Sequence, residues 1–285
     1  MLRIAIQSKG RMNQESLELL DSVGVKLSVR ESNPVLVRSS NFPAEVLFIE
    51  KDRIPEFVAL GIVDIGICGE YLARQAGTPE DCIIKRLGFN KSTLSLAIPR
   101  DAKYRGIEWF IGKSIATPYP ELLSRFLKSH GVKASTRLMR EHVYLAPKLG
   151  IADAICDRVY SGTSLMSENL REVETVMTSE AILIATSTMS PLNKMILDEF
   201  LQRIDAIQAA VGKKFVRMNI PAGNLDEIIK ILPSVHQPSI SHYLDNEWLS
   251  VSVVMDEKRL WDILERLKEL GAKEILISPI DKMIL

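Results

Sequence analysis

The sequence predicts an α/β fold class, because short apolar runs typical of buried strands alternate with segments of helical apolar spacing. Residues 2–68 follow the order strand, helix, strand, helix, strand, beginning with the apolar run from Leu2 to Gln7. Gly24 and Gly61 follow the two helical segments, and glycine commonly ends a helix because it adopts a left-handed conformation without strain. Short connections between alternating strands and helices favour a sheet that is covered by helices.

Within this first stretch, the pattern predicts where each helix begins. Asn13 precedes apolar residues at helical spacing, and Asp52 precedes a second such run at residues 54–60. Short polar side chains cap helices by accepting hydrogen bonds from free backbone amides. We therefore expect Asn13 and Asp52 to be helix caps, with strands at residues 46–49 and 63–68 on either side of the second helix.

A second α/β stretch covers the middle of the chain. The pattern predicts strands at residues 94–98, 114–117, 152–156 and 183–185, and helices at residues 121–130 and 194–211.

The last part of the chain has a different order of elements. We predict strands at residues 214–220, 239–244, 248–255 and 274–279, with helices at residues 225–232 and 258–270. The order β-α-β-β-α-β is the split βαβ arrangement of a ferredoxin-like module. The change of pattern places the start of this module near Gly212.

The overall charge and the apolar pattern exclude several classes of partner. The chain has 36 basic and 36 acidic residues and no formal net charge. Binding to nucleic acid or to an anionic membrane favours a basic surface, so neither partner is predicted. No apolar run approaches the roughly 20 residues of a membrane span, and the first residues lack the pattern of a signal peptide. We expect a cytoplasmic protein in which the three cysteines form neither a metal site nor a disulfide framework.

The strongest chemical signal is the segment 153–165, which contains Asp153, Asp157 and then Ser-Gly-Thr-Ser at residues 161–164. We call residues 161–164 the phosphate turn. Glycine allows close approach of the backbone, hydroxyl groups donate hydrogen bonds, and amides at a helix start face an anion. The two carboxylates suit sugar hydroxyls or a Mg²⁺ ion shared with a diphosphate. A helix-capping turn without a ligand explains the same residues.

Several motifs along the chain resemble those of the ATP phosphoribosyltransferase family in its long, histidine-regulated form. Besides segment 150–170, the matching stretches are residues 7–11, 61–70, 87–89, 115–120, 146–147, 267–272 and 277–282. The resemblance implies transfer of a phosphoribosyl group from phosphoribosyl pyrophosphate to N1 of ATP, with release of pyrophosphate and with Mg²⁺ as cofactor. This reaction is the first step of histidine biosynthesis.

The resemblance also implies an architecture. A two-lobed core like that of type II periplasmic binding proteins would form from residues 1–90 with about 180–211 as the first lobe and residues 91–179 as the second. Residues 212–285 would be a ferredoxin-like regulatory domain. Family members form homo-oligomers, as dimers or hexamers, and are inhibited by histidine and by AMP.

The resemblance assigns roles to individual residues, without an obligatory general base. For phosphoribosyl pyrophosphate these are Asp153, Asp157, Ser161, Gly162, Thr163 and Ser164, with Asp153 or Asp157 also holding Mg²⁺. For ATP they are Lys9, Gly10, Arg11, Asp64, Gly69, Glu70 and Tyr119. For regulatory histidine they are Asn219, Ser239, Ser241 and His242.

The chain departs from the family pattern at Glu50, Thr93, Tyr144, Arg158 and Tyr160. The change at Glu50 replaces a cation by an anion near a predicted anionic ligand. Other cations, at Arg53, Lys91, Arg140 and Arg158, could replace the missing charge. Two alternatives to the enzyme therefore stand beside it: a paralogue that binds nucleotide or phosphoribosyl ligands with no turnover or a changed substrate, and a two-lobed solute-binding protein.

Overall fold

The computed structural model describes residues 1–28, 35–159, 163–232, 237–244 and 247–284, with the backbone alone at Thr163 and Ser164. The chain forms two compact units, Met1–Leu197 and Asp198–Leu285.

The described residues contain strands and helices in the following order along the chain. The strands are β1 (Leu2–Gln7), β2 (Leu36–Arg38), β3 (Ala44–Ile49), β4 (Ile65–Gly69), β5 (Ile83–Arg86), β6 (Ser92–Pro99), β7 (Ser114–Thr117), β8 (Ser135–Leu138), β9 (Ala154–Val159), β10 (Leu170–Ser179), β11 (Ala181–Ala185), β12 (Lys213–Pro221), β13 (Ser239–His242), β14 (Trp248–Asp256) and β15 (Lys273–Pro279). The helices are α1 (Arg11–Ser22), α2 (Ile54–Ala59), α3 (Glu70–Gln75), α4 (Pro120–Ser129), α5 (Thr163–Ser167), α6 (Pro191–Ala210), α7 (Leu225–Ile231) and α8 (Glu257–Glu269).

The first lobe of the first unit is built on a sheet in the order β2-β3-β1-β4-β11-β5. Strand β1 runs parallel to β3 and β4, and β11 returns antiparallel to β4 and β5. Strands β4 and β11 contain no charged or hydroxyl side chain, and Ile4, Ile65 and Ile184 have no exposed surface, as expected for strands that helices cover.

The second lobe is built on a sheet in the order β10-β6-β9-β7-β8. The chain enters this lobe after β5 and leaves it between β10 and β11, so it passes between the two sheets twice. Leu94, Leu96 and Phe110 are fully buried in its core. Two sheets joined by two crossing segments confirm the two-lobed α/β core expected for the first part of the chain.

The second unit contains a sheet in the order β13-β14-β12-β15, and all of its neighbouring strands are antiparallel. Val216, Met218 and Val251 on this sheet are buried with Leu260 and Leu267 of α8. The order β12-α7-β13-β14-α8-β15 confirms the predicted ferredoxin-like module.

Some local predictions were wrong. Helix α1 begins at Arg11 after Gly10, and the Asn13 side chain donates to the Gln7 carbonyl oxygen at 2.7 Å instead of capping a helix. Asp52 lies within a short 3₁₀ turn that precedes α2. Strand β10 was missed because it is an edge strand with many half-exposed polar residues, so it lacks a clear apolar alternation. Within the described ranges, no helix is both long and apolar enough to cross a membrane.

Candidate functional site

Arg158 on β9 of the second lobe makes a cluster of contacts that reaches the first lobe. Its guanidinium donates to the Tyr71 hydroxyl oxygen at 2.7 Å and to Asn90 Oδ1 at 3.1 Å. Its Cζ atom also lies 4.0 Å from the centroid of the Tyr71 ring. Tyr71 belongs to α3, and Asn90 lies in the segment that enters the second lobe. Arg158 therefore joins the strand that leads to the phosphate turn to both the first lobe and the crossing segment.

From Asn90 the hydrogen bonds continue to helix α1. Asn90 is 4% exposed and adopts a left-handed conformation, with φ 52°. Its amide nitrogen donates to Glu15 Oε2 at 2.8 Å, and Glu15 Oε1 accepts from Arg11 Nε at 2.9 Å. The side-chain oxygen of Asn90 therefore contacts Arg158 of the second lobe, and its side-chain nitrogen contacts Glu15 of the first lobe.

The start of α1 carries three of the residues predicted for ATP. Gly10 precedes the helix with φ 89°, a conformation that favours glycine, and the first turn of the helix contains no acidic residue. Lys9 is exposed, and Arg11 is paired with Glu15 while its side chain remains 67% exposed. Free amides at a helix start and two exposed cations together suit an anionic ligand.

Asp157 is a half-buried carboxylate that directly precedes Arg158 on β9. Burial raises the pKa of Asp157, although the backbone amide of Arg158, which donates to it at 2.7 Å, and the charges of Arg158 and Lys51 oppose the shift. A carboxylate whose ionised form is disfavoured by desolvation suits a partner that brings positive charge.

Tyr119, predicted to border adenine, is a buried core residue with 5% exposure. Its ring meets the Tyr71 ring edge-on, with 5.1 Å between centroids, and burial raises the pKa of its hydroxyl. The burial of Tyr119 does not support the predicted contact with adenine, because its ring packs against the Tyr71 ring instead.

Gly69, also predicted to bind nucleotide, has a packing role. A Cβ atom at Gly69 would lie 2.3 Å from Cε1 and 2.7 Å from Cδ1 of the Tyr71 ring. Glycine at this position therefore lets Tyr71 fold back across the turn between β4 and α3, where it meets Arg158.

Glu70 lies in a buried ion-pair network. Its carboxylate accepts from Arg86 at 2.7 Å through both oxygens and from Arg74 at 3.2 Å, while Arg86 also contacts Glu180. Burial opposes ionisation of Glu70, but the hydrogen bonds from Arg86 and Arg74 outweigh it and lower the pKa. The carboxylate is occupied by protein partners, which does not support the predicted ATP contact.

Asp64 and Asp153 lie at the starts of strands β4 and β9 and make the same contacts in the two lobes. Asp64 Oδ2 accepts from the Arg3 amide at 2.7 Å, and Asp153 Oδ2 accepts from the Ser114 amide at 2.8 Å. Each aspartate is the last residue of a Gly-Ile-x-Asp sequence, at residues 61–64 and 150–153. Gly69 is the last residue of β4 and Asp157 lies within β9, whereas both aspartates stand before the first residue of their strand and join it to a neighbouring segment. These protein contacts do not support the predicted placement of Asp64 and Asp153 beside the substrates, which stays a prediction.

Of the predicted phosphate turn, Ser161 and Gly162 lie outside the described residues. Helix α5 begins at Thr163 and includes Ser164, directly after β9. The anion site that the composition of the turn indicates stays a prediction.

In the second unit, a pocket of about 300 Å³ is lined by Asn219, Tyr243, Trp248, Lys273 and Glu274. Asn219 Nδ2 donates to Glu274 Oε2 at 2.5 Å, and the Tyr243 hydroxyl donates to Asn219 Oδ1 at 2.9 Å. Lys273 Nζ lies 5.1 Å from the centroid of the Trp248 ring.

The other residues predicted for histidine lie on β13. Ser241 and Asn219 both pair with Ser250, so they share one face of the sheet, and Ser239 is on that face two residues earlier. His242 pairs with the buried Leu249, on the opposite face. Placing His242 with the two serines was wrong, because neighbouring residues of a strand point to opposite sides.

Comparison with known proteins identifies the family. The family ATP phosphoribosyltransferase matches residues 50–206, and the C-terminal domain of the same family, HisG, matches residues 210–282. ATP phosphoribosyltransferases from Bacteroides fragilis and Parabacteroides distasonis are each 50% identical to this chain, and each alignment covers 100% of both proteins. This chain belongs to the ATP phosphoribosyltransferase family.

A solved structure of the ATP phosphoribosyl transferase (HisG:HisZ) complex from Thermotoga maritima has the same fold over 72% of this chain and 96% of that chain, with a TM-score of 0.61 and 23% identity. The predicted family is confirmed, and with it the activity of ATP phosphoribosyltransferases in the first step of histidine biosynthesis.

Sequence reasoning missed Tyr71 and Asn90, which contact Arg158, and Glu15, which contacts Asn90. Arg158 itself was noted as a departure from the pattern of ATP phosphoribosyltransferases and as one of the cations that could replace the missing charge. A buried asparagine between two lobes has no local sequence signature, and Glu15 resembles an ordinary helix-surface residue paired with Arg11 at a spacing of four.

Proposed function

We propose that this ATP phosphoribosyltransferase joins its substrates between the end of β9 and the start of α1. The observation that supports this most strongly is the hydrogen-bonded route from Arg158 to Arg11, which links the element that leads into the phosphate turn to the element that presents cations and free amides. Ser161, Gly162, Thr163 and Ser164 hold the 5-phosphate, and Lys9, Gly10 and Arg11 hold the phosphates of ATP.

Mg²⁺ is part of the proposal as a cofactor that arrives with the diphosphate. Among the described residues there is no group of three or more His, Cys, Asp or Glu side chains arranged for a metal ion. Mg²⁺ commonly binds through substrate phosphates and one or two carboxylates, and Asp157 offers one. The donors present therefore fit an ion held mainly by substrate, which would neutralise charge on the leaving diphosphate.

The described residues account for the remaining chemistry by position and charge. When the bond between C1 of the ribose and the diphosphate lengthens, positive charge develops on the ribose. The carboxylate of Asp157 is placed to stabilise that charge and to bind ribose hydroxyls. The cations at Lys9, Arg11 and Lys51 hold the anionic groups in place, so that N1 of ATP approaches C1 on the face opposite the diphosphate.

An assay of product formation tests this proposal. Purified protein is incubated with ATP, phosphoribosyl pyrophosphate and Mg²⁺, and both pyrophosphate and the N1 adduct are followed. We expect both products in equal amounts, and none after Mg²⁺ is chelated. Binding of both ligands without turnover by folded protein would favour the alternative, a paralogue that only binds nucleotide or phosphoribosyl ligands.

Inhibition by histidine is a second part of the proposal. The pocket in the second unit offers a carboxylate at Glu274, a cation at Lys273 and aromatic rings at Tyr243 and Trp248. These groups match the ammonium, the carboxylate and the imidazole of histidine. Its volume of about 300 Å³ is at the small end of ligand pockets and suits an amino acid.

We further propose that the chain forms homo-oligomers, as dimers or hexamers, and that AMP competes for the ATP site.

A further inference from the structure

We propose that Arg158 is a positioning residue that couples the two substrate sites: it sits on the strand of the phosphate turn, but it controls the affinity for ATP at the start of α1. The inference rests on the proposed function, because that function assigns phosphoribosyl pyrophosphate to one end of the route and ATP to the other.

The contacts of Arg158 leave its guanidinium committed to protein partners. It donates to Tyr71 and Asn90, lies over the Tyr71 ring, and has longer contacts of 3.4 Å from Nε and Nη2 to Ser92 Oγ. A planar guanidinium with several donors in a fixed orientation transmits the position of one partner to another, which a lysine ammonium does less well. Arg158 therefore acts through Asn90 and Tyr71 on other groups.

Asn90 is the residue through which the coupling passes. The side chain is buried, and its left-handed backbone is a conformation that asparagine tolerates better than most residues. Its oxygen accepts from Arg158 and its nitrogen donates to Glu15. Loss of Arg158 removes one of the contacts that fix the Asn90 amide, and this weakens the hydrogen bond from Asn90 to Glu15.

Glu15 in turn orients Arg11, the exposed cation at the start of α1. With Oε2 held by Asn90, Glu15 Oε1 faces Arg11 Nε at 2.9 Å. An exposed ion pair by itself contributes little, so the orientation of Arg11 depends on the buried half of the route. Disturbing Arg158 should therefore weaken the binding of a ligand of Arg11, through Asn90 and Glu15.

The test compares variants at successive links of the route. Affinity for ATP is measured by calorimetry without phosphoribosyl pyrophosphate, and the KM of each substrate and kcat are measured separately. We expect R158L to raise the Kd of ATP about tenfold, through loss of charge-assisted hydrogen bonds that orient Arg11. N90D keeps the acceptor for Arg158 but removes the donor to Glu15, so the same loss is expected. R158K should give an intermediate value.

Two controls separate coupling from general damage. S92A removes a contact of Arg158 that lies off the route to Glu15, and it should change the Kd of ATP by less than about twofold. The double variant R158L/N90D should bind ATP no more weakly than either single variant, because both break one route. Thermal unfolding checks that each variant is folded, and N90D alone tests the middle link if R158L does not fold.

The proposal is overturned if R158L raises only the KM of phosphoribosyl pyrophosphate while ATP binding stays unchanged. It is also overturned if the effects of R158L and N90D on ATP affinity add in the double variant. Failure of this proposal can be told apart from failure of the proposed function. Absence of products from the unaltered protein contradicts the proposed reaction, whereas calorimetry still shows whether Arg158 controls the affinity for ATP.

Discussion

Asp157 is a half-buried carboxylate and Glu70 a buried one, and their surroundings shift their pKa values in opposite directions. Desolvation raises the pKa of Asp157, although the backbone amide of Arg158 opposes the shift. Glu70 is desolvated too, but two arginine side chains bond to it and lower its pKa. A carboxylate that desolvation makes costly to ionise suits a ligand that supplies positive charge, whereas a carboxylate that is already paired with arginine side chains stabilises the fold.

Replacing Asp157 by asparagine should separate activity from stability. Because the pKa of Asp157 is raised above its ordinary value of 3.8, its contribution to stability is present below that value and is lost as the pH rises through the raised pKa. At neutral pH the ionised carboxylate therefore destabilises the fold. D157N should raise Tm by roughly 2 °C at neutral pH and lower kcat/KM about 10²-fold. Calorimetry and the product assay check both, and a fall in Tm at neutral pH would contradict this assignment.

Replacing Glu70 by glutamine should have the opposite effect on stability. A lowered pKa means that the contribution of Glu70 is present above its ordinary value of 4.5 and is lost as the pH falls through the lowered pKa. E70Q should lose about 2 kcal/mol of unfolding free energy at neutral pH, because the neutral amide no longer forms ion pairs with Arg86 and Arg74. Urea unfolding should show the difference shrinking in acid. A constant difference across pH would argue against the ion pairs as its source.

At the scale of elements, the turn from β4 to α3 decides how the lobes meet. Gly69 ends β4 and Tyr71 belongs to the first turn of α3, yet the Tyr71 ring packs in the core of the second lobe. The close approach of this ring to Gly69 is what allows a helix of the first lobe to carry a contact surface for Arg158.

Adding a methyl group at Gly69 should therefore displace Tyr71. The backbone of Gly69, with φ −70°, accepts any residue, so the cost of G69A comes from the clash with the ring. We expect a loss of about 1–3 kcal/mol in unfolding free energy. The matched comparison is G69A in the background of Y71A, where the penalty should almost disappear. An equal penalty in both backgrounds would place the clash elsewhere.

At the scale of the whole molecule, the second unit gives the chain a separate ligand pocket. N219A removes both hydrogen bonds that organise this pocket, to Glu274 and from Tyr243. We expect the Kd of histidine to rise at least about tenfold, with kcat in the absence of histidine unchanged. H242A serves as the control, because His242 lies on the other face of the sheet. Equal effects of the two variants on histidine binding would contradict the pocket as the effector site.

Much of the fold could be predicted from the sequence, because strands and helices have local signatures. The βαββαβ order of the second unit emerged from apolar spacing and from glycines such as Gly271, which follows α8 with φ 84°. The polar edge strand β10 and the contact of Asn13 could not be predicted, since the first depends on its neighbour β6 and the second on the Gln7 carbonyl oxygen, which accepts from the Asn13 side chain.

The sequence by itself determined the classes of element, their order, the family and the position of the phosphate turn after β9. Only the tertiary structure decided which neighbours each carboxylate has. Asp153 and Asp157 stand four residues apart, so an extended strand separates them by about 13 Å: Asp153 directly precedes β9, whereas Asp157 lies within it, opposite Ser95 of β6. Spacing along the chain fixes the face of a strand to which a side chain points, but the residues that the side chain contacts come from other segments of the chain. The hydrogen bonds between Asp153 and Ser114, between Glu70 and Arg86, and between Arg158 and Asn90 form because folding brings those segments together.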